Sequence, residues 1–119
     1  MRQESSAPLS FVTEHCQGVM LYVFSGKIHS ASDSASFLNV IHKIIQDQER
    51  ILIDLKNVSY IDSLAMGVLS KLIKLVHEGK AQVRFCGKND LLFEILQSAN
   101  LDKLMTIFPS REEALAGWK

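Results

Sequence analysis

The sequence predicts an α/β fold: a mixed, mostly parallel β-sheet opened by an N-terminal hairpin and packed with about four α-helices. Three observations carry this expectation. Two strand-like runs, Leu9–His15 and Val19–Ser25, flank Gln17-Gly18, a pair suited to a tight hairpin turn. From Phe37 onward, stretches of helical periodicity alternate with short apolar, β-branched runs. Strands joined through helices need right-handed crossovers and so pair in parallel. At 119 residues and 47% hydrophobic content, the chain has room for one core and the material to fill it.

In chain order, residues 1–8 are short and polar and are expected to form a flexible tail ahead of a single domain over 9–119. In the second strand Val19, Leu21 and Val23 alternate with Met20, Tyr22 and Phe24, so both faces are apolar and the strand is expected to be central. Ser25 to Ser34 is rich in Ser and Gly and is expected to be a loop, with Ser30 or Ser32 capping the next helix. Phe37, Leu38, Ile41, Ile44 and Ile45 keep helical spacing up to about Gln48. After the central strand and helix described below, Gly79 suits a helix C-terminus and Val83–Cys86 a short strand. Asn89 or Asp90 can cap a helix striped by Leu91, Leu92, Ile95, Leu96 and Ala99, closed by Asn100 in a left-handed cap with Leu101 folding back on Leu96. Met105–Phe108 is expected as the last strand, and Ser110-Arg111-Glu112-Glu113 as a capping box before a helix over Ala114–Trp118.

The centre of the chain is Ile51–Gly79. Ile51-Leu52-Ile53-Asp54-Leu55 is an apolar run fit for a buried strand, and Lys56–Ser59 is expected to be a polar turn. At ~100° per residue, Leu64, Ala65, Met66, Val68, Leu69, Leu72, Ile73, Leu75 and Val76 fill a continuous apolar arc of roughly 200°. Ser70, Lys71, Lys74, His77 and Glu78 fill the remainder. One step back, Ser63 falls on the polar side, which offers its hydroxyl to solvent at a helix N-terminus, where unpaired N–H groups and the dipole favour an anion.

This stretch resembles the core of the STAS family, the domain of bacterial anti-sigma factor antagonists. That core runs as an apolar strand, Asp-Leu, Val-x-x-(Ile/Met)-Asp-Ser-Ser-Gly-Leu-Gly and a helix. Asp54-Leu55, Val58-Ser59-Tyr60-Ile61-Asp62-Ser63 and Gly67 stand in those places, while Leu64 and Ala65 replace the small residue and the first glycine. The resemblance implies that Ser63 is a phosphoacceptor and that Asp62 helps to position it at a kinase. It implies a regulator that, unmodified, binds an anti-sigma factor with serine kinase activity, leaves it on phosphorylation, and is restored by a PP2C-type phosphatase. ATP and Mg²⁺ belong to that kinase, and no cofactor is implied for this chain. The expected binding surface is Tyr60, Asp62, Ser63, Leu64 and Met66 with Ser25, Gly26 and Lys27 of the preceding loop, supported by Asp54 and Gly67. A second implication within the family is a constitutive adaptor of the lipid-transport or transporter-linked type, in which the serine is unused.

Other function classes find less support in the residues. Thirteen basic and thirteen acidic residues balance, which gives no electrostatic footprint for nucleic acid or an anionic membrane. No apolar run nears the ~20 residues of a membrane span and no signal-peptide core opens the chain, so a cytoplasmic protein is expected. Cys16 and Cys86 fit no metal or redox spacing and are expected to be buried thiols. Asp54, alone in an apolar strand, needs partners; a hydrogen bond to backbone between Ser59 and Ser63 is expected. A response-regulator receiver phosphorylated on Asp54 is the alternative, but Glu14 is the only acid between Phe11 and Phe24, and Pro109-Ser110 follows the last strand where a receiver has lysine. His15, His29, His42 and His77 share no ligand spacing, and Ser63 lacks a Gly-x-Ser-x-Gly elbow, so no enzyme is expected.

Overall fold

The computed structural model describes residues 9–29, 31–47, 50–87 and 89–118; the N-terminal residues 1–8, expected as a tail, lie outside these. Its elements are β1 (Ser10–Cys16), β2 (Val19–Ile28), α1 (Ala31–Asp47), β3 (Ile51–Ile61), α2 (Ser63–His77), β4 (Val83–Cys86), α3 (Asp90–Ser98), β5 (Ile107–Phe108) and α4 (Arg111–Leu115). The five strands lie in the order β1-β2-β3-β4-β5, with β1 antiparallel to β2 and every later pair parallel. This is the mixed sheet that the alternation of strand and helix patterns predicts.

The hairpin closes on Gln17 and Gly18, both at positive φ (56° and 79°), between the paired residues Cys16 and Val19. Two successive left-handed residues give the turn whose twist matches the flanking strands. Beyond it, β2 alternates as expected. Tyr22, Phe24 and Ile28 enter the main core, which holds Phe37, Ile41 and Ile44 of α1, Ala65, Leu69, Leu72 and Ile73 of α2, and Leu92 and Leu96 of α3. Val19 and Leu21 enter a smaller cluster with Leu52, Cys86 and Ala114, against which Leu115 and Trp118 pack. Three helices therefore serve the main core, and α4 serves the minor one.

Two expectations about turns are corrected. β3 does not end at Leu55 but continues through Lys56–Ser59 to Ile61, and β2 continues through Ser25-Gly26-Lys27, which were expected to loop. These polar stretches pair with each other: Ser25 lies opposite Asn57, Gly26 opposite Val58 and Lys27 opposite Tyr60, with register shifts between Val23 and Ser25 and between Gly26 and Lys27. Backbone pairing satisfies the chain where composition suggests a turn, and the bulges absorb the broken alternation. Ser32 sits inside α1 rather than capping it, and Ser30 lies outside the described residues. The last strand is shorter than Met105–Phe108, and α4 starts at Arg111 rather than Ala114.

The extra length of β3 creates an edge, because β4 stops opposite Asp54. α3 lies against β3, and Asn89 joins the two. Its Nδ2 donates to the Leu55 and Val58 carbonyls at 3.0 and 2.6 Å, while its Oδ1 accepts the Leu92 N–H at 3.1 Å as the α3 cap. The C-terminal ends of α2 and α3 follow the predicted caps. Asn100 takes φ 60°, and the Leu101 N–H donates to the Leu96 carbonyl at 2.9 Å; Gly79 takes φ 77° after α2. Among the described residues no helix is long and apolar enough to cross a membrane.

Leu69 and Leu72 lie at the centre of the α2 arc and are fully buried. Truncating either to alanine should cost about 2–5 kcal/mol, a large share of a small domain's stability. Denaturant titration checks this; a loss under about 0.5 kcal/mol for both would mean that α2 does not dock through this face.

Candidate functional site

At the end of β3 the chain passes through Tyr60-Ile61-Asp62 into α2. Asp62 is the N-cap, with extended backbone angles (φ −82°, ψ 174°), and its Oδ1 accepts the Ala65 N–H at 2.9 Å. A short polar acceptor at this position satisfies one of the orphan N–H groups of the first turn. The residue is held on every side. Its own N–H donates to the Ile28 carbonyl at the end of β2 at 2.8 Å, and its carbonyl accepts the Met66 N–H at 2.9 Å. The hydroxyl of Ser34, on α1, donates to the carboxylate, with oxygens at 3.3 and 3.2 Å. Three elements thus meet at one carboxylate and its backbone.

Ser63, the first residue of α2, is exposed, as the helical arc predicts. Its neighbours Leu64 and Tyr60 are also open to solvent, at 64% and 44% of their full exposure. These two side chains give the turn apolar surface on either side of a hydroxyl. Met66 is half-buried and packs against the main core. Beside Ser63 a shallow groove of about 280 Å³ is lined by Tyr60, Ser63 and Met66 together with Ile95 and Ser98 of α3 and Ala99 just after it.

Of the predicted surface, the structure brings Tyr60, Asp62, Ser63 and Met66 to one groove, with Lys27 paired beside Tyr60 and Leu64 exposed next to Ser63. Ser25 and Gly26 stand further back, opposite Asn57 and Val58. Four strand steps, about 13 Å, separate Asn57 from the end of β3 at Ile61, so Ser25 lies along the strand from the exposed turn. Gly67 is exposed, and a Cβ there would meet nothing within 4 Å, so no close approach requires this glycine.

Asp54 is buried but is not bonded to the Ser59–Ser63 backbone as expected. Its Oδ1 accepts the Lys56 N–H at 3.0 Å and its Oδ2 accepts Arg111 Nε at 2.9 Å as an ion pair. Both oxygens are engaged, Oδ1 by the β3 backbone and Oδ2 by Arg111, which fastens α4. Gly87 closes over them: at φ 104°, an added Cβ would lie 2.7 Å from Asp54 Oδ1 and 2.6 Å from the Lys56 nitrogen. Arg84 holds the same segment, donating from Nη1 to the Ala114 carbonyl at 2.8 Å with its guanidinium 4.7 Å from the centre of the Trp118 ring. Among the described residues no group of three or more His, Cys, Asp or Glu could hold a metal ion.

Sequence reasoning missed Ser34, the second role of Asn89, and Arg111 as the partner of Asp54. Ser34 is one hydroxyl in a serine-rich stretch, and no periodicity singles it out. The Arg111–Asp54 contact spans 57 residues of chain, which no local pattern reports. The lone carboxylate in an apolar strand was the available signal, since it demanded a cation or donors from somewhere.

The family model described as the STAS domain matches residues 10–114, and the chain belongs to the STAS domain family. Among individual relatives, the anti-sigma F factor antagonist of Paenibacillus polymyxa is 29% identical over 109 residues, covering 90% of this chain and 92% of that protein. The fold is shared with a crystal structure of an anti-sigma factor antagonist from Mycobacterium paratuberculosis (TM-score 0.76, 20% identity, 92% of this chain and 95% of that one). It is shared too with the Bacillus cell fate determinant SpoIIAA in its phosphorylated form (TM-score 0.63, 15% identity, 89% and 96%).

Of the two free thiols Cys86 is buried, whereas Cys16 is half-buried rather than fully enclosed as expected. Burial, helped by the negative charge of Asp54, pushes the Cys86 thiol from 9.0 up to about 12. The folded state therefore keeps a proton that the unfolded chain releases above pH 9, and Cys86 removes stability as pH rises from about 9 towards 12. The slope should approach about 1.4 kcal/mol per pH unit. Denaturant titrations of the wild type and Cys86→Val across this range check it: the two curves should diverge, and parallel curves would contradict the assignment.

Proposed function

We propose that this chain is an anti-sigma factor antagonist that works by partner switching, with Ser63 as its phosphorylation site. The observation that carries the proposal is the exposed turn: Ser63 stands at the first residue of α2 between the exposed apolar side chains of Tyr60 and Leu64. The names of the relatives support it, and the phosphorylated form of a structural neighbour supports the choice of a switch. In its unmodified form the chain binds a cytoplasmic anti-sigma factor that is also a serine kinase. The kinase brings its own ATP and Mg²⁺, modifies Ser63 and ends the complex, and a PP2C-type phosphatase restores it. The chain acts as a binding module and supplies no catalysis.

The physical basis is a contrast between tolerance inside the domain and cost at the interface. A phosphate on Ser63 adds about −1.5 to −2 charge at neutral pH. Within the domain it meets the positive end of α2, partly offset by the like charge of Asp62. The fold itself should persist. A partner seated over Tyr60, Ser63 and Leu64 must instead strip water from the dianion, which costs several kcal/mol per uncompensated ion. Since about 1.4 kcal/mol is tenfold in affinity, part of that penalty dissolves a micromolar to nanomolar complex.

Ser63→Ala should bind the partner captured from the source cytosol as the wild type does and resist release by ATP. Ser63→Asp should bind at least about tenfold more weakly, which corresponds to 1.4 kcal/mol, at unchanged melting temperature. Titration calorimetry on both variants measures this. Equal affinities would reject the switch and favour a constitutive adaptor.

A further inference from the structure

The proposed switch leaves the hydroxyl of Ser34 unassigned. Ser34 lies in the first turn of α1, is 2% exposed, and reaches the Asp62 oxygens at 3.3 and 3.2 Å across 28 residues of chain. A hydroxyl donates one proton, so these two distances describe a single O–H shared between both carboxylate oxygens. With the Ala65 N–H at 2.9 Å from Oδ1, two donors fix the carboxylate. Ser34 and Ala65 are buried, whereas Ser63 and Leu64 are exposed. The charge of Asp62 is therefore drawn inward, away from the hydroxyl beside it.

That direction matters for a phosphoryl group arriving at Ser63. An Asp62 carboxylate free to rotate could leave the cap and face the incoming phosphoryl oxygens, where like charges a few ångströms apart repel. It would also loosen the first turn of α2, which carries the reacting hydroxyl. We propose that Ser34 is a positioning residue for the phosphorylation of Ser63: acting through Asp62, it holds the phosphoacceptor turn in the geometry that the kinase requires. This inference rests on Ser63 being the phosphoacceptor. In the transfer, Ser63 Oγ bonds to the γ-phosphorus of the kinase's ATP and the bond from that phosphorus to the β,γ-bridging oxygen breaks. ADP leaves, and the hydroxyl proton passes to a base of the kinase.

The test uses the full chain and the ATP-dependent kinase that binds it, purified from the source cytosol, with intact mass and steady-state rates as readouts. Ser34→Ala removes the donor, Ser34→Thr keeps it, and Asp62→Asn removes the charge on which it acts. Ser34→Ala should lower kcat about tenfold, as expected for a reacting group slightly misplaced. KM should stay within about twofold, because the exposed docking side chains are untouched. Ser34→Thr should recover kcat to within about threefold of the wild type, since the donor is retained. In the Asp62→Asn background, Ser34→Ala should change kcat by less than about twofold, because residues acting through one contact are not additive. A purely structural role would lower the melting temperature and leave kcat of the folded protein unchanged, and that result, or equal loss in both backgrounds, overturns the inference. If the wild type takes up phosphate on Ser63 but Ser34→Ala matches its kcat, the role of Ser34 alone is rejected. If the wild type takes up no phosphate on Ser63, the switch falls and the inference falls with it.

Discussion

The Ser63 surface depends on where the Asp62 carboxylate points. A helix N-terminus leaves several N–H groups without partners, and an aspartate at the cap satisfies one of them while its charge meets the dipole. Here the same residue ties α2 to the end of β2 through Ile28 and to α1 through Ser34. With its backbone and side chain both engaged, Asp62 leaves the next residue little freedom except to project outward. Exposure of Ser63 is thus a product of the interior contacts, and it requires no loop flexibility to reach a partner.

The length of β3 sets the stage for that arrangement. A strand ending at Leu55 would begin α2 nearer to β4; running on to Ile61 lifts the Ser63 turn clear of the four-residue β4. The unpaired stretch would be a hazard if left bare. Asn89 and α3 cover it, and the same helix supplies the far wall of the groove beside Ser63. On the minor face, the Asp54–Arg111 pair and the Arg84 contacts hold the short α4 over Leu52 and Cys86. A five-residue helix has little intrinsic stability, so its position rests on these side chains.

Periodicity made much of this legible. The α2 arc identified its buried residues and left Ser63 on the open side, and the caps at Asn89, Asn100 and Ser110 could be read from single residues with known backbone preferences. What could not be read was long-range. Lys56–Ser59 and Ser25–Lys27 look like turns one at a time and become strand only because they pair with each other, bulges included. Asp54 announced a need for partners without naming Arg111, and Ser34 looked like one more loop serine. In each case the deciding partner lay dozens of residues away, where hydrogen-bond satisfaction rather than propensity governs.

The central claim is that one phosphate on Ser63 acts at the interface and leaves the fold alone. Its most direct measurement is the affinity of the purified partner for the wild-type chain before and after stoichiometric phosphorylation, with backbone amide spectra of both forms recorded alongside. The account predicts a loss of at least about tenfold in affinity, with shifted amide signals confined to the Tyr60–Met66 turn and its neighbours on α1 and α3. Unchanged affinity, or a spectrum altered throughout the sheet, would contradict it.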